Sequence, residues 1–377
     1  MILKIPETLR VKGGEYVEQF HCNTKIVSGA GAVNFLKELG IRRLLLVTDP
    51  FFMKNGVAQQ VAAVSNAEHW EIFSDICPDP SVELAAQGTA AVRQFQPDTV
   101  VALGGGSAMD CAKAMTYFSG LKLRLVAIPT TSGSGSEVTD FSILTHGTVK
   151  HPLVDSKLCP EIAILDSDLL KELPASLVAD TGFDVLCHAA EAYVATGAGA
   201  ITDALAKEAF STAFEALPAS FAGKLAVRER MHMASTMAGM AFTQAGLGLC
   251  HAMAHSLGGQ FHVPHGRLNA ILLPAVISCN AAWGGGEKYA GIARSAGLGG
   301  TADTVAVRNL KNGLIRLRRE LKLPQTLAQA GIAPGEVQLR AKDIVEAALA
   351  DPCCNTNPVP VKDFMVRKVL EEVTGHV

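Results

Sequence analysis

The sequence predicts two domains, an α/β domain built on a parallel sheet over residues 1–173 and an all-α domain over residues 174–377. Three observations carry this. A chain of 377 residues is too long for one ordinary core and suits two. Between Arg42 and Ile164 short apolar runs alternate with helix-like stretches, the pattern of parallel strands joined by crossover helices. After Asp166 the strand-like runs stop and long Ala-, Leu- and Met-rich segments take over, which places the boundary near Pro174.

In chain order, Leu44–Thr48, Thr99–Leu103, Leu123–Ile128 and Ile162–Leu165 are short and almost wholly apolar, as strands buried on both faces must be. Pro80–Phe95 and Ala108–Phe118 have helical spacing, with Asp79 or Ser81 capping the first and Ser107 the second. Beyond the boundary, Ala179–Ala195, Ile201–Leu217 and Arg228–Ala245 read as helices. Another carries Val307, Leu310, Leu314, Leu317 and Leu321 on one face and stops before Pro324. No internal repeat or low-complexity tract points to a solenoid or linker.

Composition narrows the function. Charged residues are 18% of the chain and the formal charge is -3, so there is no electrostatic footprint for nucleic acid. Nine cysteines, odd in number and without C-x-x-C spacing, fit neither a disulfide framework nor a thiolate zinc site, and a reducing cytosol is expected. The run Leu268–Ile277 contains a proline and is shorter than the roughly 20 residues of a membrane span, so no membrane partner is expected. The first 20 residues lack the features of a secretory or transit peptide. Ile2, Leu3, Ile5 and Leu9 read as an extended arm or, as the alternative, a short docking segment for a partner, with Pro6 arguing against a helix there.

Two glycine-rich stretches suggest a phosphate-binding site. In VVALGGGSAMDCAKA a buried strand ends in three glycines and a helix begins near Ser107. Backbone can approach an anion closely there, and the free N–H groups of the helix start point at it. Asp110 is expected in the first turn, where it suits the helix dipole. IPTTSGSGSEVT, from Ile128 to Thr139, follows the neighbouring strand with small hydroxyl residues able to wrap phosphate or ribose. Asp49, at the end of LLLVTD, could accept from a ribose hydroxyl and would repel a 2′-phosphate, although aspartate also ends strands for turn reasons.

The second domain holds a metal-ligating pattern. TGFDVLCHAAEAY places Asp184 and His188 four apart on one helical face, and GLCHAMAHSLGGQFHVPHG adds His251, His255, His262 and His265. Carboxylate and imidazole in an apolar helical domain must be paired or coordinated. One carboxylate with imidazoles and no thiolate suits Fe(II), Zn(II), Co(II) or Ni(II). Spacing alone leaves open which histidines bind.

GGGSAMDCAKA, PTTSGSGSEVT, DTGFDVLCHAAEAY, GLGLCHAMAHSLGG, the following PHG and the late NTNP, in that order, resemble the iron-dependent (group III) alcohol dehydrogenases across nearly the whole chain. Within that family AGMAFTQAGLGLCHAMAHSLGGQFHVPHG is similar to the 1-propanol and ethanol dehydrogenases of bacterial microcompartments. The resemblance implies the dehydroquinate synthase-like fold, with a Rossmann-like NAD domain before a helical metal domain. It implies Asp184, His188, His251 and His265 as ligands of Fe2+ or Zn2+, with His255 beside the metal as a proton relay or an orienting group. It puts NAD(H) on Gly105, Gly106, Ser107 and Asp110, with Thr130, Thr131, Ser134, Thr139 and Lys150 around the rest and Asp49 near the adenosine ribose. Phe242 and Cys353 fall in its substrate pocket. Phe141 departs from relatives that carry a polar residue near the nicotinamide.

The activity implied is hydride transfer between a short-chain primary alcohol or aldehyde and NAD(H), in the cytoplasm or inside a microcompartment. The implied partners are a small alcohol or aldehyde, further copies of the chain in a homodimer or larger homo-oligomer, and microcompartment enzymes or shell. Glycerol dehydrogenases are the nearer alternative. Dehydroquinate synthases need a strongly basic pocket, and Arg267 alone stands close to the histidines. A non-catalytic assembly protein would be expected to have lost a ligand or a glycine loop, and neither is missing. The vicinal Cys353 and Cys354 read either as buried small residues or as an oxidant-sensitive pair.

Overall fold

A computed structural model describes residues 9–10, 16–17, 19–147 and 149–375. The chain groups into two compact units that meet between Leu173 and Pro174. The described residues before Cys22, expected in the first domain, group instead with the helical one. The arm residues Ile2, Leu3, Ile5 and Pro6 lie outside the described residues, while Leu9–Arg10 pairs antiparallel with Tyr16–Val17.

The first unit is a six-stranded parallel sheet. Its strands are β1 (Lys25–Ser28), β2 (Arg43–Val47), β3 (His69–Phe73), β4 (Thr99–Gly104), β5 (Arg124–Pro129) and, after an antiparallel hairpin of β6 (Phe141–His146) and β7 (Val149–Val154), β8 (Ile162–Leu165). Their spatial order is β1-β8-β5-β4-β2-β3. Beyond their first residues the central strands are apolar, because alternate residues feed two cores. Leu45, Val47, Val100 and Ala102 pack under α1 (Val82–Phe95) and α2 (Gly106–Ser119), while Leu44, Leu46, Val101 and Leu103 face the opposite side. Ser81 caps α1, its hydroxyl accepting from the Leu84 N–H at 3.1 Å. Strands β1 and β3 and the hairpin escape the sequence reading. The first two are edge strands with polar or exposed residues, and Pro152 interrupts β7.

The strand order reverses between β2 and β4, since β2 leads outward to β3 while β4 leads the other way to β5. Open α/β sheets bind ligands beyond the carboxyl ends of strands at such a point. Asp49 follows β2 and the glycine triplet follows β4, so topology alone brings them together.

The second unit is helical, with no strand among its described residues from Pro174 on. α3 (Ala175–Val194) is buried along nearly its whole length. It packs with α4 (Ala200–Phe221), α5 (Arg228–Ala245) and α7 (His265–Asn280), and α6 (Leu249–Phe261) lies against α7. The apolar run Leu268–Ile277 forms most of α7 and is covered by α3, α6, α9 (Asp303–Glu320) and α11 (Asp363–Thr374), with α8 (Gly286–Ser295) and α10 (Ala341–Ala350) completing the labelled set. Close approach of α7 to α3 depends on Gly266, where an added Cβ would stand 2.0 Å from the Asp180 carbonyl oxygen.

Gly266→Ala must therefore push α7 away from α3, and overpacking of this kind costs about 1–3 kcal/mol. Urea unfolding of metal-free protein is expected to show that loss. An unchanged midpoint would mean that the helix start shifts freely.

Candidate metal centre and phosphate-binding loops

In the helical unit, α3 supplies Asp184 and His188 one turn apart, α6 supplies His251, and α7 begins with His265. One ligand atom from each of Asp184, His188 and His251 falls within 4.8 Å of the others. His265 Nε2 lies 3.6 Å from Asp184 Oδ1, and His251 Nε2 lies 3.8 Å from it. Of the histidines that spacing left undecided, His262 is exposed and ends α6 in a left-handed conformation. His255 stacks on His265 with ring centroids 5.2 Å apart but is outside the cluster around Asp184. Phe242 of α5 stacks on His188 at 4.4 Å and supplies an apolar wall.

Two residues missed by the sequence reading organise the cluster. Glu191, fully buried, lies 2.6 Å from His251 Nδ1 and accepts from the Cys250 N–H at 2.7 Å. Burial pushes its carboxyl up to about 7, against backbone N–H groups and the charge of His188 that pull it down. Burial, with His188 and His255 nearby, drives His251 well below the usual imidazole range, so it is neutral with Nδ1 committed to Glu191 and Nε2 aimed at Asp184. Asn269, one turn beyond His265 on α7, places its side-chain nitrogen 2.7 Å from Asp184 Oδ1, 3.1 Å from His265 Nε2 and 3.3 Å from His251 Nε2. Both were visible at helical spacing, Glu191 seven residues after Asp184 and Asn269 four after His265.

This geometry fits a divalent cation. The Asn269 side-chain nitrogen lies within 3.3 Å of atoms of Asp184, His251 and His265, so these three groups converge on one point. The Asp184 carboxyl is raised by burial, opposed by His188 and by the Asn269 amide. Positive charge at this point would reverse that cost. A carboxylate and three imidazoles with no thiol match a borderline metal ion.

In the sheet unit, α2 starts one residue before the expected Ser107 cap, with Gly105 as the extended N-cap, because the glycine turn closes directly onto the helix. The N–H groups of its first turn have no helical acceptor. A Cβ at Gly105 would meet Thr131 at 3.3 Å, and one at Gly106 would meet Ser134 at 3.2 Å. The two glycine-rich stretches thus lie side by side, and Thr130, buried, donates its N–H to the Gly104 carbonyl at 2.9 Å. Asp49 Oδ1 accepts from the Phe51 and Phe52 N–H groups, the turn role allowed for it, and Oδ2 faces Gly104.

Asp110 is corrected: it lies beyond the first turn of α2, and its Oδ1 accepts from the Ser136 hydroxyl at 2.9 Å instead of serving the helix dipole. It belongs to a buried network around Lys113, whose ammonium donates to Ser136 Oγ, Thr139 Oγ1 and the Thr139 and Phe141 carbonyls at 2.8–3.0 Å. Burial lowers that lysine to about 8, against Asp110, which holds it up. Lys113 went unnoticed because nothing in its helical surroundings marks it as buried. Lys150 pairs with Asp79 at 2.6 Å.

Known proteins share both halves. Residues 23–167 match the profile of the iron-containing alcohol dehydrogenases, and residues 178–374 match the C-terminal profile of the Fe-containing alcohol dehydrogenase family. The chain belongs to the iron-containing alcohol dehydrogenase family. A 1-propanol dehydrogenase of Citrobacter freundii is 40% identical over 369 residues, 95% of this chain and 100% of that one. An NADPH-dependent butanol dehydrogenase of Clostridium saccharobutylicum is 38% identical, covering 92% and 95%. A sulfoacetaldehyde reductase from Bifidobacterium kashiwanohense, solved with NAD+, superposes with a TM-score of 0.85 at 28% identity, covering 95% and 98%. Alcohol dehydrogenase chemistry with a bound metal ion is therefore the activity of this chain.

Within this family member, Glu191→Gln is expected to weaken metal retention about 10–100-fold while leaving the ligands in place. Competition against a chelator measures it. Affinity equal to the parent protein would show that the amide orients His251 as well as the carboxylate does.

Proposed function

We propose that the chain reduces short aldehydes, propionaldehyde and acetaldehyde, to 1-propanol and ethanol with NADH, and runs the reverse oxidation with NAD, recycling the cofactor in a bacterial microcompartment. The observation that carries this reading is the convergence of Asp184, His188, His251 and His265 beside the ring of Phe242. The substrate is supported by the likeness to the 1-propanol dehydrogenase, and the microcompartment setting by the resemblance of AGMAFTQAGLGLCHAMAHSLGGQFHVPHG to the microcompartment dehydrogenases.

Asp184, His188, His251 and His265 would hold iron(II) or zinc(II), which supplies Lewis acidity that lowers the pKa of an alcohol oxygen. Phe242 and Cys353 line the space for the alkyl chain. His255 handles the hydroxyl proton at Nε2, because Nδ1 is 2.9 Å from Asp351 Oδ2 and is held there as the protonated nitrogen. Burial alone would raise Asp351, but its hydrogen bond to His255, the charge of His255 and the Cys353 N–H keep it below the ordinary carboxylate range. The pyrophosphate lies on Gly105, Gly106, Ser107 and the first-turn N–H groups of α2, with Thr130, Thr131 and Ser134 beside it. Asp110, Thr139 and Lys150 act through the Lys113 network and the Asp79 pair, holding the loop and hairpin in place. Asp49 meets a ribose hydroxyl and repels a 2′-phosphate, which selects NAD over NADP.

The decisive test is anaerobic NADH oxidation by acetaldehyde and propionaldehyde on chelator-stripped protein reloaded separately with Fe(II) and Zn(II), with NADPH in parallel. Turnover returning with metal and NADH, and lost in His265→Ala, is expected. No turnover with either aldehyde and either metal would sink the short-chain reading and direct attention to polyols. Better turnover with NADPH would remove the role given to Asp49. Asp351→Asn is expected to lower kcat about 10–100-fold with little change in aldehyde KM, a split that loss of pocket shape would not produce.

A further inference from the structure

A second cluster of metal-ligating groups stands next to the first and shares none of its ligands. His255 on α6, with Cys353 on the short turn Pro352–Thr356 and Asp351 capping that turn, places one nitrogen, one oxygen and one sulfur within 4.8 Å of each other. The turn is fixed: Asp351 Oδ1 accepts from the Cys353 N–H at 2.8 Å, which leaves Oδ2 for His255 at 2.9 Å. Carboxylate and thiol two residues apart on a capped turn form a ready chelate, and the imidazole closes it from the facing helix. Ligand atoms around a tetrahedral zinc ion with bonds of about 2.0–2.3 Å stand about 3.3–3.8 Å apart, which small side-chain adjustments reach from here.

We propose that His255, Asp351 and Cys353 form a second, thiolate-containing cation site that takes soft or borderline ions, Zn(II) and Cd(II), in preference to Fe(II). The chemistry separates the two centres. Asp184 and its imidazoles contain no sulfur, whereas a thiolate selects softer metals. The His255 and Asp351 side chains are 25% and 15% exposed, which gives an ion a way in. Burial, then the neighbouring Asp351, raises the Cys353 thiol well above its usual range. The same negative surroundings attract a cation, and binding releases the thiol proton to solvent. The ion would also displace the proton shared by His255 and Asp351. Occupancy would then remove the proton relay, and zinc would inhibit at a site other than the one that supports turnover. That consequence rests on the role given to His255; the site itself does not.

Enzyme loaded anaerobically with Fe(II) is dialysed against Cd(II), and both metals are counted per chain while the ultraviolet thiolate-to-cadmium absorption is followed. The parent protein is expected to keep its iron and gain one cadmium with the absorption band. Cys353→Ser and His255→Ala should each weaken cadmium binding by about 100-fold or more, beyond the cost of losing an outer hydrogen-bonding partner. Asp184→Asn should lose iron and retain cadmium, which separates this centre from the first. Cadmium displacing iron one for one would overturn the proposal. So would binding that survives in His255→Ala, since a lone thiol would then suffice; Cys22 and Cys77, both exposed, are replaced by serine throughout to exclude them.

Discussion

The helical unit is organised by the burial of Asp184. This carboxyl is 8% exposed in an apolar helical core, where an unpaired charge costs several kcal/mol even after relaxation. It is tolerable where a cation can be held against it, and the structure brings three helices with ligand atoms to that point: α3 with His188, α6 with His251, α7 with His265 and Asn269. Other features of the unit follow from holding those helices there. Gly266 lets α7 approach α3, and Glu191 ties the start of α6 to α3 through the Cys250 N–H and the His251 imidazole.

The sheet unit solves the opposite problem with different material. An anionic cofactor needs positive potential close to the chain, and here backbone supplies it. The N–H groups at the start of α2 and the small residues opposite leave room for phosphate. The buried Lys113 nearby is spent internally on four oxygen atoms of the second loop and the hairpin. Its charge sets loop shape, and the loop meets the ligand.

What the sequence disclosed follows from this division. Strands β2, β4, β5 and β8 were legible because burial on both faces writes them as unbroken apolar runs, whereas β1 and β3 are sheet edges and leave no such mark. Asp184 and His188 were legible as a pair because residues four apart on a helix face one way, whereas spacing left the histidines after Cys250 undecided and only the motif resemblance singled out His251 and His265. Glu191 and Asn269 obey the same periodicity and were passed over because each acts on another ligand, a relation between helices that local spacing does not encode. Asp110 was misread for a related reason: its acidity near a helix start suggested a dipole role, while its partner Ser136 lies on another loop.

The two imidazoles of α6 show how little separates the proposed ligand from the proposed proton carrier. His251 and His255 are one turn apart, and each has Nδ1 within 2.9 Å of a carboxylate, Glu191 or Asp351, that leaves Nε2 free to act. The difference is exposure. The His251–Glu191 pair is 1% exposed on both side chains, so its protonation is locked and the ring is a rigid neutral donor. The His255 and Asp351 side chains are 25% and 15% exposed, so solvent can deliver and remove protons and a foreign cation can enter. One structural device, a carboxylate clamping an imidazole, thus serves coordination when buried and exchange when open, and depth in the helical unit decides which.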